Sequence, residues 1–421
     1  MQTTLTHEEY VRRKHIPVLD GVRAISILLV VTHHPEYPGV WPIFHGATGV
    51  SIFFVLSGFL ITMLLLREQQ RSGRISLSAF YTRRLFRIAP LFLLAFCCYL
   101  VLIFGLGLQP ERRASFVENI PYYLLFLPER AVFFNTWPEP VPFGGTWSLG
   151  IEEKFYFVWP VLGFVLLKSR PRGRVIALVL TVLASAVANA IGGSWGMALA
   201  PYGLLALGCL LAIALERPRG YAVVARLGRP RLLAVLGLGF VALQLSTDAI
   251  TIGEPLYLVY GLAVAVVLGG LVVTRASWLR WLTARPMLLL GRLSYGLYLF
   301  HNFGLNFAEQ IIPPTSFPLS LLSTLLGVGA SVFGVWVLHL VVEKPCIRLG
   351  HRVSAAVKAR TAARGASGEG VGALPATSKQ TTGEPAPAAV NADPDARPDA
   401  RLETGARHRA LPDGAAIEPR R

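Results

Sequence analysis

The 421-residue chain is 53% hydrophobic and only 15% charged, with a formal net charge of +16 at pH 7 and a mean hydropathy of +0.52. That balance excludes an ordinary soluble globular protein and describes an integral membrane protein. The basic excess falls in short clusters between apolar runs, where the positive-inside bias accounts for it, and no basic stripe or recognition module accompanies it, so nucleic acid is set aside as a partner. In chain order, residues 1–15 read as a basic cytoplasmic segment, with "EEYVRRKHIP" at 8–17 leading into the first apolar run. No small-residue cleavage site follows, so the first apolar run is expected to stay as a span rather than leave as a signal peptide.

A helix needs about 20 residues to cross the hydrocarbon core. Ten runs of that order lie near 17–34, 49–66, 86–107, 147–167, 174–192, 197–215, 230–247, 255–273, 286–309 and 317–342. Alternate loops carry the basic residues: Arg12, Arg13 and Lys14; Arg67 to Arg87; Lys168 to Arg174; Arg217 to Arg231; Arg275 to Arg285. The opposite loops hold Arg112, Arg113 and Arg130. This asymmetry predicts an all-α, polytopic membrane bundle of about ten transmembrane helices with both termini cytoplasmic. The stretch 108–146, rich in Pro, Gly and aromatics, is the longest outward connection and reads as a cap that dips into the bundle. Residues 352–421 are rich in Ala, Pro, Gly and charge but poor in large apolar residues, and are expected to form a disordered cytoplasmic tail. Cys97, Cys98, Cys209 and Cys346 have the spacing of neither a metal site nor a disulfide framework.

Four stretches place ionisable groups where lipid would be expected. In "LDGVRAISILLVVTHH", residues 19–34, Arg23 and His34 are eleven apart, which brings them back to one helical face, about 20° beyond three full turns and about 16 Å apart along the axis. His33 lies about 80° off that face. Either Arg23 snorkels and both histidines mark the outer water boundary, or the pair belongs to an intramembrane site. "YTRRLFRIAP" sets Arg84 and Arg87 one turn apart, a spacing that grips a phosphate or simply forms a cytoplasmic cluster. "GTWSLGIEEKFYFVWP" puts Glu152 and Glu153 at the start of the fourth run, where one carboxylate compensates the helix dipole and one must face inward. "GRLSYGLYLFHNF" makes a polar stripe of Ser294, Tyr295, Tyr298 and His301, suited to helix–helix hydrogen bonds or to lining a substrate.

Together these motifs resemble acyltransferase family 3, membrane O-acyltransferases that modify lipopolysaccharide, peptidoglycan, exopolysaccharides, Nod factors and macrolides. The resemblance covers residues 16–346. It rests on a basic residue, ten intervening positions and a histidine in the first span (Arg23, His34) and on "GVSIFFVLSGFLIT" from Gly49 to Thr62. The R-x-x-R of Arg84 and Arg87, the block from Thr146 to Tyr156, the block from Ser294 to His301, and the closing Glu343, Lys344 and Pro345 complete it. Where many members have Asp after Gly-Val, this chain has Ser51, so no carboxylate role transfers there.

The resemblance implies transfer of an acyl group, acetyl above all, from acyl-CoA to a hydroxyl of a glycan or secreted metabolite at the plasma membrane, with no metal. His34 is then the general base. Arg84 and Arg87 hold the CoA phosphates, with Arg23 along the pantetheine path or at the thioester oxyanion. Glu152 or Glu153 orients His34, while Ser294, Tyr295, Tyr298 and His301 line the acceptor side. The competing class is a non-enzymatic transporter of a glycan or acylated metabolite, which intramembrane charges also suit.

Overall fold

The computed structural model describes residues 3–34, 41–138, 141–246 and 248–368. Among these, every extended element is a helix; the one β-type pairing is an isolated bridge between Thr4 and Thr274. α1 (His7–Arg12) opens on a capping box in which the Thr6 hydroxyl accepts from the Glu9 amide and the Glu9 carboxylate from the Thr6 amide. α2 (Val18–Thr32), α3 (Thr48–Ser72) and α4 (Leu77–Leu100) follow. The connecting stretch 108–146 contains α5 (Arg113–Leu124) and α6 (Pro128–Phe133). Then come α7 (Trp147–Val161), α8 (Pro171–Ile191), α9 (Gly193–Leu199), α10 (Pro201–Glu216), α11 (Pro218–Leu227) and α12 (Pro230–Ser246). α13 (Tyr257–Val273), α14 (Arg285–Ile311), α15 (Phe317–Leu338) and α16 (Lys344–Gly368) complete the series.

Each of the ten apolar runs carries a helix. Five continuous helical stretches are long and apolar enough to cross a bilayer by themselves: Pro42–Ser72, Leu77–Gly105, Pro171–Ile191, Gly193–Glu216 and Phe317–Ala359. α11 and α12 form a bent pair at 71°. This is a coarser result than ten crossings, and the shortfall has a pattern. α2 and α7 have 15 residues each, and the apolar face of α14 is interrupted by its polar stripe. α13 also falls short, at 17 residues, and α2, α7 and α14 join α3 and α4 in the candidate site described below.

Close backbone approach fixes the bundle. α3 crosses α10 where a Cβ on Gly58 would collide with the Leu205 carbonyl and one on Gly208 with the Val55 carbonyl, the small-residue crossing that membrane helices use in place of a hydrophobic driving force. α14 meets α2 in the same way, because a side chain at Gly291 would strike the backbone at Asp20. The connecting stretch packs into the bundle as expected: Phe143 lies among Phe92, Phe96, Tyr99 and Tyr123, and the Tyr123 hydroxyl donates to the Pro142 carbonyl at 2.5 Å.

At the end of the molecule that carries α1, the buried Arg67 guanidinium donates from Nε to Glu216 at 3.1 Å and from its two other nitrogens to the carbonyls of Arg13 and Tyr10. Arg67, expected to be one charge of an interspan cluster, is instead a buried clamp joining α1, α3 and α10. The expected start of disorder at 352 also moves. α16 runs through that boundary on Ala, Lys and Arg, which lose little rotamer freedom on entering a helix. The rest of the expected tail, 369–421, lies outside the described residues.

Candidate active site

Two neighbouring cavities collect nearly all the polar residues singled out in the sequence. The smaller, about 130 Å³, is lined by Arg23 from α2, Ser57 from α3, Arg84 and Arg87 from α4, Ser148, Glu152 and Tyr156 from α7, and Ser294, Tyr295 and Tyr298 from α14. The larger, about 540 Å³, is lined by His33 and His34 at the end of α2, Gly145 and Trp147 at the start of α7, and Tyr298 and His301 from α14. Only the larger falls in the volume range of pockets that enclose a whole small molecule, roughly 300–1,000 Å³.

The smaller cavity is cationic. Arg23 donates to Asp20 at 3.2 Å, and Asp20 also meets Nε2 of His15 at 3.0 Å. The Arg84 guanidinium carbon sits 3.5 Å from the centroid of the Tyr156 ring, a cation–π contact worth about 0.5–2 kcal/mol that holds the charge flat against α7. Arg87 lies within electrostatic range of Arg23, Arg84 and Glu343. Neither Arg84 nor Arg87 forms an ion pair among the described residues. Glu152, the acidic wall, accepts from the Ser57 hydroxyl at 3.0 Å and from the Tyr156 hydroxyl at 3.1 Å. With Arg23 matched by Asp20, Arg84 and Arg87 face the single carboxylate of Glu152 across the lining, which leaves positive charge suited to an anion.

The larger cavity holds the histidines. Nδ1 of the buried His301 approaches two carbonyl oxygens, Leu297 at 2.9 Å and Tyr298 at 3.0 Å. Carbonyls only accept, so Nδ1 carries the proton and Nε2 is left with a bare lone pair. That lone pair faces Nδ1 of His34 at 3.3 Å, and the same His34 nitrogen lies 2.9 Å from the Val30 carbonyl. Two acceptors on one nitrogen assign the His34 proton to Nδ1. Its Nε2 is therefore the basic nitrogen, and it has no partner among the described residues. The two rings meet edge to face with centroids 4.6 Å apart.

Tyr298 belongs to both cavities. Its hydroxyl donates to the Gly145 carbonyl and accepts from Ser148 at 2.7 Å. Tyr295 donates to the Ile88 carbonyl at 2.7 Å, so its hydroxyl ties α14 to α4. Ser294 is buried on the arginine chamber.

Set against the sequence expectations, Arg23, Arg84, Arg87, Glu152, Ser294, Tyr295 and Tyr298 come together, and His34 meets His301 next door. Two roles change. Neither glutamate touches His34: its orienting partners are His301 and Val30, because α7 presents Glu152 to the arginine chamber, toward Ser57. Glu153 turns to a separate apolar cleft of about 970 Å³ beside α4, α7 and α8, where its Oε1 has no partner. Adjacent positions on a helix point about 100° apart, so only one of the two could face this chamber. His301 is placed as the partner of His34 as well as a cavity wall. Ser57, Ser148 and Tyr156 were missed as site residues. Tyr156 was signalled by its i, i+4 spacing from Glu152, whereas nothing in the sequence pairs Ser57 with a glutamate 95 positions away.

Comparison with known proteins bears on this arrangement. The acyltransferase family 3 model, described as an acyltransferase domain, matches residues 16–340. The chain is 29% identical over 313 residues to peptidoglycan O-acetyltransferase OatA of Listeria monocytogenes, covering 69% of this chain and 49% of that protein. It is 32% identical over 359 residues to putative peptidoglycan O-acetyltransferase YrhL of Bacillus subtilis, covering 79% and 53%. It is 30% identical over 315 residues to O-acetyltransferase OatA of Staphylococcus aureus, covering 68% and 50%. The chain thus matches about half the length of these curated relatives. No solved structure matches it.

Proposed function

This chain belongs to the acyltransferase family whose model spans its bundle, and on that premise we propose that it moves an acyl group, acetyl above all, from acyl-CoA to a hydroxyl on a glycan-type or secreted-metabolite acceptor. The relatives named as peptidoglycan O-acetyltransferases favour a glycan acceptor. The setting is the plasma membrane, with ten crossings and both termini in the cytoplasm, the arrangement that the alternating basic loops support.

The observation that carries the reading is the Nε2 of His34, without a partner among the described residues and opening onto a cavity large enough for an acceptor, while Nδ1 is held by two acceptors. The arginine chamber beside it suits a phosphate-bearing donor. CoA reaches roughly 20 Å from phosphates to thiol, comparable with the spacing of about 16 Å between the Arg23 and His34 levels on one helix. In the proposed reaction the acceptor oxygen bonds to the thioester carbonyl carbon as its proton passes to His34 Nε2. The C–S bond then breaks, and the CoA thiolate leaves and is protonated from His34. Arg23, turned toward Asp20 about 16 Å from the His34 level, faces the phosphate or pantetheine portion of the donor. His34 lies just beyond the C-terminal end of α2, where the Val30 carbonyl and the helix dipole favour the positive charge that the imidazole acquires.

The test is purified protein in lipid with labelled acetyl-CoA and candidate glycans. Acceptor-dependent release of free CoA and label in the glycan are expected, with His34→Ala reduced at least 100-fold, the usual scale of general-base loss. Full activity in His34→Ala would reject the assignment. A lack of CoA release under every acceptor would reject acyl-CoA as donor.

A further inference from the structure

Among the described residues, one side chain lines both chambers. The arginine chamber and the histidine cavity share Tyr298 and no other lining residue. Its hydroxyl is fixed from two directions: Gly145, on the wall of the histidine cavity, accepts its proton, and Ser148, on the wall of the arginine chamber, donates to its oxygen at 2.7 Å. Both partners lie on the turn that starts α7, whereas the tyrosine rides on α14. Tyr298 is thus a partition held by one residue from each compartment.

We propose that Tyr298 is the gate between the donor and acceptor chambers, latched by Gly145 and Ser148, and that it decides whether the acyl thioester meets an acceptor hydroxyl or water. The proposal rests on the two-chamber acyl-transfer reading above. With the latch closed, the thioester end of the donor is shut off from the roomier histidine cavity. An acceptor entering that cavity displaces the latch and completes the reacting pair, the division of labour seen wherever closure excludes water from a reactive intermediate. If the gate stands open without an acceptor, water takes the acceptor's place. Its oxygen bonds to the acyl carbon, its proton passes to His34, the C–S bond breaks, and free carboxylic acid and CoA are released.

The sequence alone did not separate this role from ordinary lining. The Ser294–Tyr298–His301 stripe is what a helix–helix hydrogen-bond ladder also looks like, and the two partners of Tyr298 are about 150 positions away in the chain.

Two measurements test the gate. The first compares CoA release without acceptor against acyl transfer with acceptor in Tyr298→Phe, which keeps the ring and loses both hydrogen bonds, and in Ser148→Ala, which loosens the latch and leaves the tyrosine intact. Both should raise acceptor-independent hydrolysis about tenfold relative to transfer with acceptor, the scale of one or two lost hydrogen bonds. Unchanged hydrolysis with a parallel fall in transfer would overturn the gate. The second needs no donor. A membrane-impermeant thiol reagent is added from the side on which Asn135→Cys labels, and Ser57→Cys in the arginine chamber is followed by peptide mass. Ser57→Cys should be protected behind Tyr298 and label at least tenfold faster when Tyr298→Ala is added; equal labelling would overturn the gate. If the wild type releases no CoA at all, the donor reading fails, and the labelling result still decides the gate.

Discussion

His301→Ala removes one of the two acceptors on His34 Nδ1. In the resting protein His34 Nδ1 is shared between the Val30 carbonyl and His301 Nε2, at 2.9 and 3.3 Å. When Nε2 takes the acceptor proton the ring becomes cationic, and the bond to His301 becomes charge-assisted. Such a bond is worth about 1.5–3 kcal/mol, which converts to a rate loss of about 10- to 150-fold. The Val30 carbonyl remains, so the tautomer survives and the loss stops well short of that for His34→Ala. The effect belongs to the transition state, so kcat should fall while the KM for acyl-CoA holds, the signature of an interaction strengthened only as the reaction proceeds. His301→Gln, able to accept through its amide oxygen, should recover part of the rate. The assay is steady-state transfer of labelled acetyl groups in lipid, with thermal unfolding of each variant to confirm the fold, because His301 is only 4% exposed. A loss confined to the KM for acyl-CoA, or one as deep as that of His34→Ala, would refute the reasoning; the latter would make His301 itself the base.

Two further outcomes follow from the same geometry. Arg87→Ala removes an unpaired cation from the arginine chamber and should raise the KM for acyl-CoA about tenfold or more, on the scale of one charge-assisted hydrogen bond to phosphate, with a smaller change in kcat; equal affinity for acyl-CoA and its dephosphorylated pantetheine thioester in the wild type would contradict it. Arg67→Ala strands Glu216 without its buried partner and should cost about 3–5 kcal/mol, read as a lower unfolding temperature. The double replacement Arg67→Met with Glu216→Leu should restore most of that loss, since an apolar pair carries no desolvation debt.

The sequence made the helical class and the positions of the apolar runs legible, because hydropathy over about 20 residues is a local property. Crossing count was less legible for a physical reason. The charged and polar residues of α2, α7 and α14, Asp20 and Arg23, Glu152 and Glu153, Tyr298 and His301, are the ones that erode their apolar signal, and α2 and α7 are short besides. Helical phase separated His34 from His33 but could not choose between Glu152 and Glu153, since their assignment depends on which neighbours α7 packs against. Partners on other helices were out of reach altogether. That His34 would find His301, 267 positions away, or Glu152 find Ser57, is set by where helices cross, and those crossings are fixed by glycines such as Gly291 whose role is visible only once Asp20 lies against them.

Three guanidiniums and a glutamate among apolar helices are expensive unless each is held. Here the holding is uneven, and the unevenness is informative. Arg67 and Glu216 satisfy each other and leave nothing for a ligand. Arg23 is matched by Asp20 and Glu152 by two hydroxyls. Among the described residues Arg84 is braced on a ring with Glu152 and Glu153 in range but no ion pair, and Arg87 likewise has no ion pair. A purely structural set would close its own pairs, as the Arg67 clamp does. Among the described residues, the arginine chamber keeps cations in reserve on the side of Tyr298 away from the histidines, and His34 keeps an unpartnered nitrogen on the other. Each chamber lacks the group the other supplies, so the arrangement is complete only when one molecule bearing negative charge and another bearing a proton to give up meet across that tyrosine.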